Sequence, residues 1–112
     1  MGDFNEGWAQ LGQAIADFSK ALEINPAFAE AYVNRGETYR LMGEFDRALS
    51  EVSKAIEIDP AFPQAYYNRA GLYFIKFEYD KCWEDIKKAQ DLRFQIPPAF
   101  LDRLRKVSGR RD

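Results

Sequence analysis

Hydrophobic positions along the chain recur at helical rather than alternating spacing. Tyr32, Arg35, Gly36 and Tyr39 fall at i, i+3, i+4 and i+7, one face of a helix. Phe45, Ala48, Leu49, Val52, Ala55 and Ile56 form a second stripe of the same period. Between the two lies Leu41-Met42-Gly43-Glu44, where Gly43 is a natural helix stop. The second stripe ends at Ile58-Asp59-Pro60, because the residue before a proline avoids the α region. The unit predicted is a helix, a short turn, a second helix and a proline-marked link. Upstream, Leu11, Ile15, Phe18 and Leu22 give another apolar stripe. Downstream, Pro97-Pro98 opens a run containing Phe100, Leu101, Leu104 and Val107, and proline suits a first helical position. The pattern predicts six helices over about 5–24, 29–42, 45–58, 63–76, 79–92 and 98–107. Asp3 with Glu6 reads as a capping box, and Ser108–Asp112 as a frayed tail.

The chain also repeats itself. Displaced by 34 residues, 9–28 matches 43–62 at nine positions, and 29–62 matches 63–96 at nine. The small residues have a physical reason in this register. Ala14 and Ala21, like Ala48 and Ala55, lie two turns apart on one face, where a small side chain lets two helix axes approach. Gly36 and Ala70 do the same on the first helix of each pair. Cys82 occupies the slot of Ala14 and Ala48 and is expected to be a small buried core residue.

Composition narrows the chemistry. At 112 residues the chain forms a single domain, and 46% hydrophobic with 30% charged residues is an ordinary globular balance. The absence of histidine excludes Ser-His-Asp, Cys-His and His-ligated metal sites, and a single cysteine excludes an internal disulfide. No Gly-rich phosphate loop, nucleophile elbow or metal-ligand spacing occurs, so an enzyme is not expected, and neither is a cofactor. A net charge of −2 disfavours nucleic acid, although the last eleven residues hold five basic and two acidic side chains. These cations suit a helix C-terminus, or could touch an acidic partner. Glu84-Asp85 reads as part of a solvated face. No apolar run reaches the ~20 residues of a membrane span, and the acidic start lacks a secretory core; the expected location is the cytoplasm.

The 34-residue period and its residues resemble the tetratricopeptide repeat, whose pattern is W-x2-L-G-x2-Y, then A-x3-F, then P. One repeat reads Tyr32-x2-Arg35-Gly36-x2-Tyr39, Ala48-x3-Val52 and Pro60; the next reads Tyr66-x2-Arg69-Ala70-x2-Tyr73 and Cys82-x3-Ile86, with Phe94 in place of the proline. A preceding half repeat supplies Ala14-x3-Phe18 and Pro26. Arg35 and Arg69 stand where the family has leucine, and are expected to pack or ion-pair rather than bind ligand. The resemblance implies an all-α fold, antiparallel helix-turn-helix pairs stacked as a short right-handed α-solenoid. It divides the chain into a half repeat (9–28), two repeats (29–62 and 63–96), a capping helix (97–107) and a tail (108–112).

It further implies a non-enzymatic module that holds a peptide or protein on the concave face lined by first helices. Carried over by position, that face takes Glu30, Val33, Asn34, Glu37, Arg40 and Leu41 from one helix, and Gln64, Tyr67, Asn68, Phe74 and Ile75 from the next. Tyr67 and Phe74 share a face and suit partner contacts. Asn34 and Asn68 either hydrogen-bond a peptide backbone or satisfy neighbouring helix ends. A chaperone-type carboxylate clamp is not expected: Asn34 matches it, but Gln64 replaces a clamp lysine. A second reading is self-assembly. The stripe Leu11, Ile15, Phe18 and Leu22, enlarged by Trp8, either pairs with a second copy as a two-fold homodimer or is covered by Phe4 and Trp8 folding back. RNA binding, known for related helical arrays, is a weaker third.

Overall fold

The apolar stripes become helices at nearly the expected bounds. The computed structural model describes residues 2–110, with side chains from Glu6 onward. Six helices follow one another: α1 (Gly2–Ile24), α2 (Ala29–Leu41), α3 (Phe45–Ile58), α4 (Pro63–Ile75), α5 (Tyr79–Asp91) and α6 (Pro98–Ser108). No strand occurs among the described residues. Helix α1 begins at Gly2 rather than near residue 5, so Asp3 lies within the helix rather than at its cap. The side chains of Asp3 and Phe4, and with them the capping box and the folding back of Phe4, lie outside the described residues.

Two compact units divide the chain, residues 1–60 with α1 to α3 and residues 61–112 with α4 to α6. In the first, Gly36 lets α2 press against α3. A Cβ there would sit 2.9 Å from Val52 Cγ2 and 3.2 Å from the Ala48 carbonyl oxygen. Ala48 and Val52 are buried at the contact, and Ala55 further along α3 is buried as well. In the second unit Trp83, Leu72, Ile86, Leu104 and Cys82 are fully buried.

Three helices end on the same turn. After α2, α4 and α5 the second residue past the helix is left-handed: Gly43 (φ 80°), Phe77 (φ 62°) and Arg93 (φ 69°). Each turn closes the same way. The amides of Glu44, Glu78 and Phe94 donate to the carbonyls of Tyr39, Tyr73 and Ala89 at 2.9, 2.9 and 3.0 Å, a Schellman-type stop that satisfies orphan carbonyls. Glycine takes this conformation freely, whereas a β-carbon crowds it at a cost of about 1–2 kcal/mol. Phe77 recovers little of that cost, since the residue is 78% exposed and its ring meets Tyr79 edge-on at 6.3 Å. Phe77→Gly is therefore expected to raise the stability by about 1 kcal/mol, measured by urea denaturation.

The end of α6 corrects the expectation of a frayed tail from Ser108. The Trp83 indole N–H donates to Ser108 Oγ at 3.0 Å, and that hydroxyl donates to the Leu104 carbonyl at 2.6 Å. Arg110 pairs with Asp80 at 3.0 Å and lies 5.6 Å over the Trp83 ring. A buried indole needs an acceptor, and Ser108 supplies it, so Ser108–Arg110 are fastened to α5. Arg111 and Asp112 lie outside the described residues.

Candidate functional site

On α4, Pro63 starts the helix at a position where its missing amide costs nothing, and the helix carries Gln64, Tyr67, Asn68, Phe74 and Ile75. Tyr67 and Phe74 are half-buried rather than open, because α6 and the link before it bring further rings to them. Tyr67 meets Phe94 at 5.2 Å and Phe100 at 5.6 Å. Phe74 meets Phe100 at 5.4 Å and Tyr79 at 5.7 Å. Arg103 sits 5.6 Å over the Phe74 ring. Burial pushes the Tyr67 hydroxyl above its ordinary pKa, so it remains a neutral donor at any physiological pH. Gln64 Nε2 donates to Asn68 Oδ1 at 2.9 Å, one turn further along α4. Phe94, Phe100, Tyr79 and Arg103 belong to this surface and were not singled out from sequence. Phe94 carried a signal, since it departs from proline at a link position.

On α2 the expected residues separate. Val33 is only 3% exposed, so its side chain is packed and not presented, a correction to its place on an open face. Asn34 is exposed, and Leu41 is 57% exposed. Glu37 and Arg40 are occupied with each other one turn apart, Arg40 Nε lying 3.1 Å from either carboxylate oxygen. On α1, Leu22 is buried and falls out of any self-association stripe. Leu11, Ile15 and Phe18 remain half-buried, and Trp8 is 40% exposed.

Both arginines that stand in leucine positions hold carboxylates sixteen residues on. Arg35 makes a two-point contact with Glu51, one arm at 3.0 Å. Arg69 grips Asp85 through Nε at 2.8 Å and Nη2 at 2.9 Å. Asp85 is thus buried and paired, which corrects its reading as solvated; only Glu84 of that pair is exposed. Burial pushes the Asp85 carboxyl above its usual range, and Arg69 opposes the shift without cancelling it. Beside it Cys82 is fully buried, its thiol pushed up to about 12 by burial first and by Asp85 second. A thiol so protonated is no nucleophile. Among the described residues, no cluster could hold a metal ion and no helix is long and apolar enough to cross a membrane.

Comparison with known proteins agrees with this architecture. The model of the family described as TPR repeat matches residues 10–43 and 36–75. Among solved structures, MamA is 32% identical with a TM-score of 0.72, over 82% of this chain and 54% of that one. The chain thus spans little more than half the length of MamA. The Arabidopsis OM64 TPR domain is 27% identical, TM-score 0.79, over 94% and 88% of the two chains. The first TPR of Spaghetti (RPAP3), solved bound to the HSP90 peptide SRMEEVD, is 21% identical, TM-score 0.80, over 96% and 85%. A search of curated proteins gave no match.

Proposed function

The chain belongs to the tetratricopeptide-repeat family, and from that premise we propose that it is a non-catalytic module that binds a protein or peptide segment through its first-helix side chains. The observation that carries this is the aromatic surface on α4. Tyr67 and Phe74 keep part of each ring open beside the Arg103 guanidinium and the Gln64 and Asn68 amides. Half-open rings gain apolar contact when a partner covers them, and the adjacent amides and cation satisfy that partner's polar groups. The RPAP3 domain, similar in fold, is itself bound to a peptide. Gln64 in a clamp-lysine position argues for a different ligand from that peptide.

A second reading, self-association through α1, draws on the half-buried Leu11, Ile15 and Phe18 and the exposed Trp8. The test of the first is capture of a partner from native lysate, followed by calorimetric titration with that partner. Tyr67→Ala and Phe74→Ala are each expected to cost ~2 kcal/mol of binding, the scale of aromatic hot spots, with helical circular dichroism retained. Unchanged affinity in both variants removes the α4 surface as the site.

A further inference from the structure

The arginine–carboxylate contact of each full repeat has two unmatched halves. One period before Glu51 and two before Asp85 stands Asp17 on α1; one period after Arg69 stands Arg103 on α6. Both are exposed. Asp17 accepts from Gln13 of its own helix at 2.9 Å, and Arg103 lies over Phe74. The same register leaves α1 open where α3 and α5 are closed. Ala48, Ala55, Cys82 and Ala89 are each 0% exposed. Their counterparts on α1, Ala14 and Ala21, are only half-buried. Helix α1 therefore presents a second-helix face, with its small residues and its acid, to whatever lies in the first-helix position.

Charge identifies what fits there. Residues 1–60 hold 11 acidic and 5 basic side chains, a net of −6; residues 61–112 hold 7 acidic and 11 basic, a net of +4. On α6 and the residue pair after it, Arg103, Arg105, Lys106 and Arg110 oppose Asp102, while α1 carries Asp3, Glu6, Asp17 and Glu23 against Lys20. The net charge of the whole chain is small, yet each unit attracts the opposite unit of another copy.

We infer that a second copy of this chain docks its α6, antiparallel, on the open face of α1, with Arg103 of one copy on Asp17 of the next. The contact repeats between copies what Arg35–Glu51 and Arg69–Asp85 do within one. It joins two different surfaces, so it is head-to-tail and open-ended rather than a closed two-fold dimer. It draws on Arg103, which also lies over Phe74 at the edge of the α4 surface, so a ligand engaging that guanidinium would compete with the second copy.

Sedimentation velocity from micromolar to millimolar concentration reads it directly. Wild type is expected to grow past dimer as concentration rises, and to fall back towards monomer in high salt. Arg103→Glu and Asp17→Arg should each weaken association by at least about tenfold, with circular dichroism unchanged because both positions are exposed. Mixing the two variants restores assembly, since each mixed contact is either the intact Asp17–Arg103 pair or the pair of Arg103→Glu with Asp17→Arg, whose charges are exchanged but still opposite. Three results would each overturn the inference: wild type monomeric throughout, Arg103→Glu associating as wild type does (the result of an α1–α1 dimer), or a mixture of the variants no larger than either alone.

Discussion

Trp83→Ala is expected to lower the stability by about 3–5 kcal/mol, the usual cost of removing a fully buried tryptophan. Trp83 is 0% exposed, and its loss leaves a cavity in the core of the second unit. It also removes the donor that fixes Ser108 and the ring beneath Arg110, so the end of α6 is released with it. Trp83→Phe separates the two effects. It keeps a six-membered ring in the core but removes the indole nitrogen with two ring carbons, so it costs about 2 kcal/mol, less than the alanine variant. Urea denaturation followed by circular dichroism gives the two energies. Limited trypsin digestion gives the second readout, with cleavage after Arg110 faster in both variants than in wild type.

Arg69→Met carries a comparable cost of about 3 kcal/mol at neutral pH, for a different reason. Methionine keeps the packing of the side-chain stem, but Asp85 is left as a buried carboxylate without its cation. The pH dependence identifies the cause. A buried carboxyl whose folded pKa lies above its unfolded value binds its proton more tightly in the folded state. Its ionisation then subtracts stability as pH rises from the unfolded value through the raised folded one. Arg69 now limits that rise; without it the Asp85 pKa climbs further and the window widens. The deficit of Arg69→Met should therefore be largest at neutral pH and smallest below pH ~4, where Asp85 is protonated in both states. A deficit independent of pH would assign the loss to packing instead. Double replacement Arg69→Met with Asp85→Leu should recover most of the stability, since an apolar pair often matches a buried ionic one.

The helices were legible because their signals are local. The 3.6-residue stripes, Gly43, Pro60 and Pro97-Pro98 placed most boundaries within a residue or two. The small residues at 34-residue spacing also announced the close contact of α2 with α3, which Gly36 makes possible. What sequence did not reveal depends on partners distant along the chain. Asp85 looks like its neighbour Glu84 until α4 brings Arg69 to it; the only hint was an arginine where the family has leucine. Tyr67 and Phe74 look like open contact residues until Phe94 and Phe100 close over part of them. Val33 and Leu22 are buried although each lies on a face assigned to partners, because a helical stripe does not say how far its neighbour reaches around it. The hydroxyl of Ser108 became significant only once α6 had laid it against Trp83.

The three left-handed turns bear on how such a chain can diverge. Glycine, phenylalanine and arginine occupy the same backbone position after α2, α4 and α5, and the turn closes with the same hydrogen bonds each time. The stop is thus written in the peptide backbone and in the helix that precedes it, and the side chain at that position is free to drift. Because a non-glycine residue there costs only about 1–2 kcal/mol, one substitution can place a new group on the surface of a repeat without changing its length or its register. A duplicated unit can in this way acquire a surface of its own before any of its core residues has changed.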